Sequence, residues 1–429
     1  MKKPDIIVVG AGAAGLMAAY TLVKSGKSVT VLEARNRIGG RIHTVTNGFT
    51  NPVELGAEFV HGNLPVTLGL LKEAGIATTG VDFEMWQHHN GTFEKSNEFI
   101  EGFGEFLDKL NRLEEDMPMQ VFIDQHFSDE KYAKMRNQIE NYVAGYDTAD
   151  IHDVSAFALR NEWNHEDEDA QHRITGGYGK LVDYLAKAII SAGNNILTDK
   201  AVTAITWSKN VVKVSTADGL IYEAAKVIIA LPLGVLQAGA ITFNPPIPHY
   251  TKAFNGIGFG SIIKILLEFD TPFWEDNAIT GLTGKGLGTM GFLFADEAIP
   301  TFWTQVPNRS PLLTGWLGGP PAYEQKDASP EAVLEITLTS LSTIFKMDVP
   351  VLRNKLVAWN ITNWTAEPFT LGSYAYDKVE SAEARNVLQQ PIETLYFAGE
   401  YLYNGPAMGT VEAALTSGKN VAAYVLDNN

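Results

Sequence analysis

Gly10, Gly12 and Gly15, spaced G-x-G-x-x-G, constrain this chain more than any other feature. They follow the apolar run Ile6, Ile7, Val8 and Val9, the pattern of a strand buried on both faces of a parallel sheet. The first glycine permits a tight turn and the second lets backbone approach a pyrophosphate. The third lets the following helix lie close to the strand. Leu16 to Lys24 reads as that helix, with Gly26 just past its end. Ala13 and Ala14, between the second and third glycines, are assigned to the cofactor with them. Ser28 to Leu32 reads as the second strand, closed by Glu33 about 20 residues after the glycines, where an acid accepts from a ribose hydroxyl. The free N–H groups of a helix N-terminus complete a dinucleotide site.

The glycines alone are weak evidence. Strand, glycines, helix, second strand and acid in the required order are much stronger, although NAD and FAD folds share them. Ala34, Arg35, Arg37, Gly39, Gly40 and Arg41 extend the motif to EARNRIGGR. Two glycines between arginines suggest a loop around a large anion, with Arg41 on phosphate. The alternative is a solvated basic loop. The extended motif resembles the flavin amine oxidases, the family of monoamine and polyamine oxidases and the lysine-specific histone demethylases. The resemblance implies FAD in this site.

Composition limits the remaining classes. The chain has 429 residues and a formal net charge of −17, which argues against a nucleic-acid partner. The same charge favours approach of a cationic substrate. There is no cysteine, so disulfides, thiol catalysis and a cysteine-linked flavin are excluded. FAD is therefore expected to be held non-covalently. Lys2 and Lys3 before an apolar stretch imitate a secretory signal, but removing that stretch would destroy the nucleotide fold. No later run reaches the roughly 18 apolar residues of a membrane span, and no membrane tail is expected. A cytoplasmic monomer or homodimer is the expectation.

Other segments carry the resemblance further. Val53 to Gly62, VELGAEFVHG, is similar to the family's flavin-lining segment and assigns Gly56, Ala57, Glu58 and Phe59 to the cofactor. His61 falls where polyamine oxidases put a histidine or glutamate facing the amine; a structural histidine in a turn is the alternative. Glu58 or His61 is expected to hold a distal amine. Val202 matches a residue whose backbone holds the adenine side. Gly258 to Phe269, with Phe273 and Trp274, resembles the family strand that bears a flavin-facing lysine, here Lys264. Lysine in a β-branched strand is costly unless paired. The block from Trp359 to Tyr376 resembles W-x-x-x-P-F-x-x-G-S-Y, with Trp364 beside the cofactor and Tyr374 before the flavin ring. LYFAGE brings Gly399 and Glu400 to the ribityl chain, and Gly409, Thr410 and Val411 open the last helix beneath the flavin. Thr410 stands where monoamine oxidases have a second tyrosine, so half of their aromatic cage is missing and the chamber is wider.

The intervening segments are less informative. Pro65 to Glu168 reads as mostly helical. The run Glu162 to Asp169 reads as a solvated loop, or as an acidic rim that attracts amines. His165 and His172 lack a metal-ligand spacing, and no metal is expected. The glycines from Gly281 to Gly291 read as sheet turns, and Ser329 to Phe345 as a helix with proline at its start.

The expected architecture is α/β: a Rossmann-like FAD-binding domain of the glutathione-reductase type, interleaved with an α+β substrate domain carrying a mixed sheet. Residues 1–63, 171–248 and 373–429 are assigned to the FAD domain, and 64–170 and 249–372 to the substrate domain. The resemblance implies oxidation of a small-molecule amine to an imine, with O2 reduced to H2O2. Polyamines or other primary or secondary amines are the expected substrates. An L-amino-acid oxidase would need an arginine for the carboxylate, with Arg160 and Arg173 as the candidates. A desaturase-type oxidoreductase or a non-catalytic flavoprotein scaffold would also account for the nucleotide motif.

Overall fold

Ile6–Val9 is the middle strand of a five-stranded, all-parallel sheet. Asn195–Leu197 and Val29–Leu32 lie on one side of it, Lys226–Ile229 and Leu395–Phe397 on the other. Val8 pairs with Val31 and Ile228, and all four residues of the central strand are buried. Alternation along the strand sends its side chains into two cores. Ile6 and Val8 join Leu16, Leu22 and Leu415 beneath the helices Ala13–Lys24 and Val411–Asp427. Ile7 and Val9 meet Ile205, Val212 and Val214 of the antiparallel strands Val202–Ser208 and Val211–Thr216 on the opposite face. The two helices touch closely, because a Cβ on Gly418 would stand 2.1 Å from the Ala14 carbonyl oxygen. The structure, a computed structural model, describes residues 3–95, 100–165, 171–284, 286–405 and 407–428.

A second, seven-stranded sheet forms the other half of the molecule. Its order is Leu356–Asn363, Ile262–Phe269, Leu312–Gly318, Thr301–Trp303, Met290–Ala295, Glu84–His89 and Thr92–Lys95. The sheet is mixed, since Met290–Ala295 runs parallel to Glu84–His89 while its other pairs are antiparallel. Ile263, Ile265 and Leu267 pack with Leu334, Leu338 and Leu341 of the helix Pro330–Phe345. Ser329 caps that helix by accepting from the Ala332 N–H at 3.2 Å. The period of two turns Lys264 and Leu266 to the opposite face, where Leu266 meets Val53 and Leu55. The lysine thus faces the nucleotide half.

Pro65 to Glu168 is mostly helical among the described residues, but it also supplies the strands Thr78–Gly80, Glu84–His89 and Thr92–Lys95. EMWQHH reads as polar, yet Trp86 and His88 are buried where this strand joins the sheet. Asn90-Gly91, both at positive φ, is the short turn that makes the hairpin, and that signal is present in the sequence. Gly281 lies in the helix Asn277–Thr283 and Gly291 in a strand, so these glycines do not all mark turns. The acidic run starts on the helix Ala156–His165 rather than in a loop, and its residues 166–169 lie outside the described residues. Among the described residues no helix is long and apolar enough to cross a membrane.

Candidate active site

The first glycines do what their spacing requires. Gly10 has φ +102°, and a Cβ there would stand 2.5 Å from the Ala230 carbonyl oxygen. Gly12 precedes the helix Ala13–Lys24 without a side-chain cap, so the helix presents free N–H groups. A second loop lies against this turn: Gly39 donates to the Ala11 carbonyl at 2.8 Å. A Cβ on Gly40 would come within 3.2 Å of Gly12 Cα. Glu33 is buried and accepts from the Ala11 N–H at 2.8 Å and the Arg35 N–H at 3.0 Å. Ala34 and Val202 line the same groove, with Val202 at the start of the strand Val202–Ser208.

Distant segments close over this groove. Arg35 donates to the Glu367 carboxylate, and to the Thr370 hydroxyl at 2.7 Å. Arg41 donates to the Ser373 carbonyl, and to Glu400 at 3.0 Å. Glu400 is buried and also accepts from the Ala375 N–H at 3.2 Å. Arg41, expected on phosphate, therefore bridges the nucleotide loop to the segment that carries Tyr374. Gly399 donates to the Ser417 hydroxyl at 3.0 Å, tying its strand to the last helix.

Lys264 is only 1% exposed, and its ammonium donates to the Gly56 carbonyl at 2.9 Å and to Glu58 at 2.7 Å. Trp316 stands opposite it across the strands, and Trp303 presents its ring 5.4 Å from the ammonium. Gly56 has no room for a side chain: a Cβ would lie 1.8 Å from the Arg41 carbonyl oxygen and 3.3 Å from the Trp364 ring. Trp364 is buried and held by its indole N–H on the Leu55 carbonyl at 2.8 Å.

Glu58 accepts from Lys264, from Arg173, from the Trp303 indole at 3.1 Å and from Gln305 at 3.2 Å. Burial alone would push its carboxyl up; Lys264 and Arg173 outweigh it and hold the group at about 2. The carboxylate expected to meet a distal amine is thus already paired with Lys264 and Arg173. His61 keeps a free ring edge in the cavity, with Nδ1 2.6 Å from the Gln171 side chain. Burial pulls its imidazole below the usual range, which keeps it neutral. Thr410 lines the cavity beside Gly409, and it is also the cap of the last helix, accepting from the Ala413 N–H at 3.3 Å and donating to the Ala407 carbonyl at 2.6 Å. Its hydroxyl is thereby turned to backbone, and Val411 begins the helix.

Tyr374 donates to the Tyr146 carbonyl, and its ring would meet a Cβ on Gly409 at 2.8 Å. Its hydroxyl is pushed up by burial first, then by the charges of Asp147 and Glu162, with Glu400 adding less. Arg173, Trp303, Gln305 and Trp316 were not recognised from the sequence as parts of this cluster. The available signal was the lysine itself, which requires a carboxylate, and that carboxylate in turn a second cation.

One cavity of about 1050 Å³ runs from Gly10 and Glu33 past Arg41 to Lys264, Tyr374 and His61. It is at the upper end of small-molecule sites, which take roughly 300–1,000 Å³. The glycine cradle, the uncapped helix end and Glu33 fit a dinucleotide, and the continuous groove leads its far end to Lys264. Among the described residues no three ligating side chains gather to hold a metal. A dinucleotide-dependent oxidoreductase is the class that this fold and cavity define.

Comparison with known proteins narrows that class. The family model described as flavin containing amine oxidoreductase matches residues 13–426, and the chain belongs to this family. Polyamine oxidase 4 of Oryza sativa subsp. japonica is 29% identical over 446 residues, covering 97% of this chain and 87% of its own. Lysine-specific histone demethylase 2 of Homo sapiens is 30% identical over 460 residues, covering 98% of this chain and 53% of its own. The solved structure of a putrescine oxidase bound to putrescine has the same fold, with a TM-score of 0.82 at 22% identity and 99% of each chain covered.

Proposed function

We propose that this protein is an FAD-dependent amine oxidase that holds FAD without a covalent bond and acts on an amine carrying a second cationic group, as polyamines do. The carrying observation is the charge lining the cavity. Every lysine and arginine there is already ion-paired: Arg35 with Glu367, Arg41 with Glu400, Lys134 with Glu101, Lys200 with Asp218 and Lys264 with Glu58. Asp147 and Glu162 line the chamber near Tyr374, and Glu94 and Asp296 line it further out. A substrate with cationic ends suits such walls and a substrate carboxylate does not. Arg160 and Arg173, the candidates for an amino-acid oxidase, are engaged elsewhere. Arg160 donates to the Leu113 carbonyl at 2.9 Å, and Arg173 to Glu58 and to the Thr304 carbonyl at 2.9 Å.

Gly10 to Gly15, Glu33 and Arg41 would hold the dinucleotide, and Gly56, Trp364 and Glu400 its flavin half. Bound FAD would supply hydride acceptance from the amine-bearing carbon and return of the electrons to oxygen. The chain's own residues position and screen. The Tyr374 ring offers a π face to the amine nitrogen. Neutral His61 can accept a hydrogen bond from the substrate. Two of the three Lys264 donors have protein acceptors among the described residues, which leaves the third for a water at the cavity wall.

The test is anaerobic bleaching of the purified protein's flavin band by spermidine, putrescine, phenylethylamine and several L-amino acids. Bleaching by the di- and polyamines is expected. Bleaching by amino acids alone would overturn the substrate class, and a flavin that no amine bleaches would overturn the enzyme reading.

A further inference from the structure

Glu58 receives its four donors unevenly. Oε1 accepts from Arg173, Trp303 and Gln305, while Oε2 accepts from Lys264. The carboxylate is thus oriented from behind, and the oxygen left over meets the ammonium. Arg173 is itself fixed: Nη2 donates to the Thr304 carbonyl at 2.9 Å and Nε to the Val306 carbonyl at 3.3 Å. Nη1 also reaches the Gln305 side-chain oxygen at 3.3 Å, and the guanidinium stands 4.3 Å over the Phe59 ring. The strand Gln171–Ile174 supplies this arginine by pairing with Phe59–His61, which puts Arg173 opposite Phe59. Glu58 and Lys264 line the cavity, whereas Arg173 and Gln305 stand behind them.

The geometry points to Arg173, backed by Gln305, as a positioning residue: it locks Glu58, and through Glu58 it locks the Lys264 ammonium at the cavity wall. The inference rests on the proposed oxidase reading, in which Lys264 serves the oxygen-dependent half of the reaction. A second consequence is electrostatic. Lys264, Glu58 and Arg173 together carry a formal net charge of +1, with the unbalanced charge set behind the wall on Arg173. Arg planarity matters here, because a lysine at 173 would keep the charge but lose the fork that grips both Glu58 and the carbonyls.

The experiment compares wild-type holoenzyme with Arg173→Met, Arg173→Lys, Glu58→Gln and Gln305→Leu. Rapid mixing measures reduction by amine and reoxidation by oxygen separately. Arg173→Met is expected to slow reoxidation about tenfold or more, as a misplaced group of this kind can, with amine reduction and FAD affinity little changed. Arg173→Lys is expected to recover part of the loss. Sulfite affinity of the oxidised holoenzyme gives an independent readout, since addition of an anion is favoured by nearby positive charge. It is expected to weaken in Arg173→Met and to strengthen in Glu58→Gln. A merely structural arginine would slow both halves together, loosen FAD and leave sulfite affinity indifferent to the sign of the change; that pattern overturns the proposal. If Arg173→Met does not fold, Gln305→Leu, which alters no charge, carries the test: it is expected to slow reoxidation alone, and wild-type reoxidation overturns the proposal. A wild type that binds no flavin, or that no amine reduces, overturns the oxidase reading instead.

Discussion

A side-chain carbon on Gly15 would stand 1.9 Å from the carbonyl oxygen of Gly10. That oxygen belongs to the turn after the central strand, so it cannot retreat without opening the phosphate loop. Gly15→Ala is expected to give protein without a yellow band, and an apo melting temperature several degrees lower, since a displaced core costs about 1–3 kcal/mol. Flavin absorbance after purification and a melting curve check this. A yellow variant of wild-type stability would refute the steric account.

Lys264→Met removes the ammonium and leaves Glu58 with Arg173, Trp303 and Gln305. The carboxylate is therefore not orphaned, and the stability loss should stay below the roughly 3–5 kcal/mol of a broken buried pair. Reoxidation by oxygen is expected to slow by at least about tenfold, as loss of one preorganised group usually does, while FAD remains bound. Stopped-flow reoxidation and an FAD titration are the measurements. Loss of FAD with unchanged reoxidation of what remains would remove the role assigned to this lysine.

Glu400 joins two segments that the sequence keeps far apart, accepting from Arg41 and from the Ala375 N–H. Glu400→Gln keeps one acceptor for these donors and loses the charge opposite Arg41. FAD affinity is expected to fall about tenfold, in line with the ~1.5–3 kcal/mol of a hydrogen bond to a charged group. Equilibrium titration of apo-protein with FAD measures it, and an unchanged dissociation constant would count against Glu400 as a cofactor anchor.

The nucleotide half was legible because its demands are local. Gly10, Gly12, Gly15 and Glu33 sit within one strand–helix–strand unit, where close backbone approach fixes Gly10 and Gly15 and two backbone N–H groups engage Glu33. Lys264 was legible through a motif, and its pairing with Glu58 explains how a strand tolerates it. The grip of Arg173 on Glu58 was not legible, because residues 58, 173 and 305 meet only when two strands pair and a third segment folds over them. The strand Glu84–His89 was legible only through its Asn90-Gly91 turn, and its place in the sheet was not. Its polar residues are recruited by the parallel Met290–Ala295 strand, a contact some 200 residues away in the chain.

Glu54 gives the protein a pH dependence of its own. Burial pushes its carboxyl from the ordinary 4.5 up to about 7, against the Tyr178 N–H, the Thr44 hydroxyl and Lys264, which favour the charged form. The Tyr178 N–H lies 2.7 Å from one oxygen and the Thr44 hydroxyl 2.9 Å from both. Between pH 4.5 and about 7 the folded chain keeps a proton that the unfolded chain has released. Folding stability from this group is therefore whole below pH 4.5, falls as pH rises and is lost above about 7. The span corresponds to at most about 3 kcal/mol. Glu58 acts oppositely: its stabilisation is present above 4.5 and is lost only as pH falls through about 2. Glu54→Gln, neutral at every pH, is expected to gain stability relative to wild type at pH 8 and little at pH 5. Urea melting of the apo-protein at both values measures the slope. Parallel slopes for the two proteins would mean that Glu54 titrates where an exposed glutamate does.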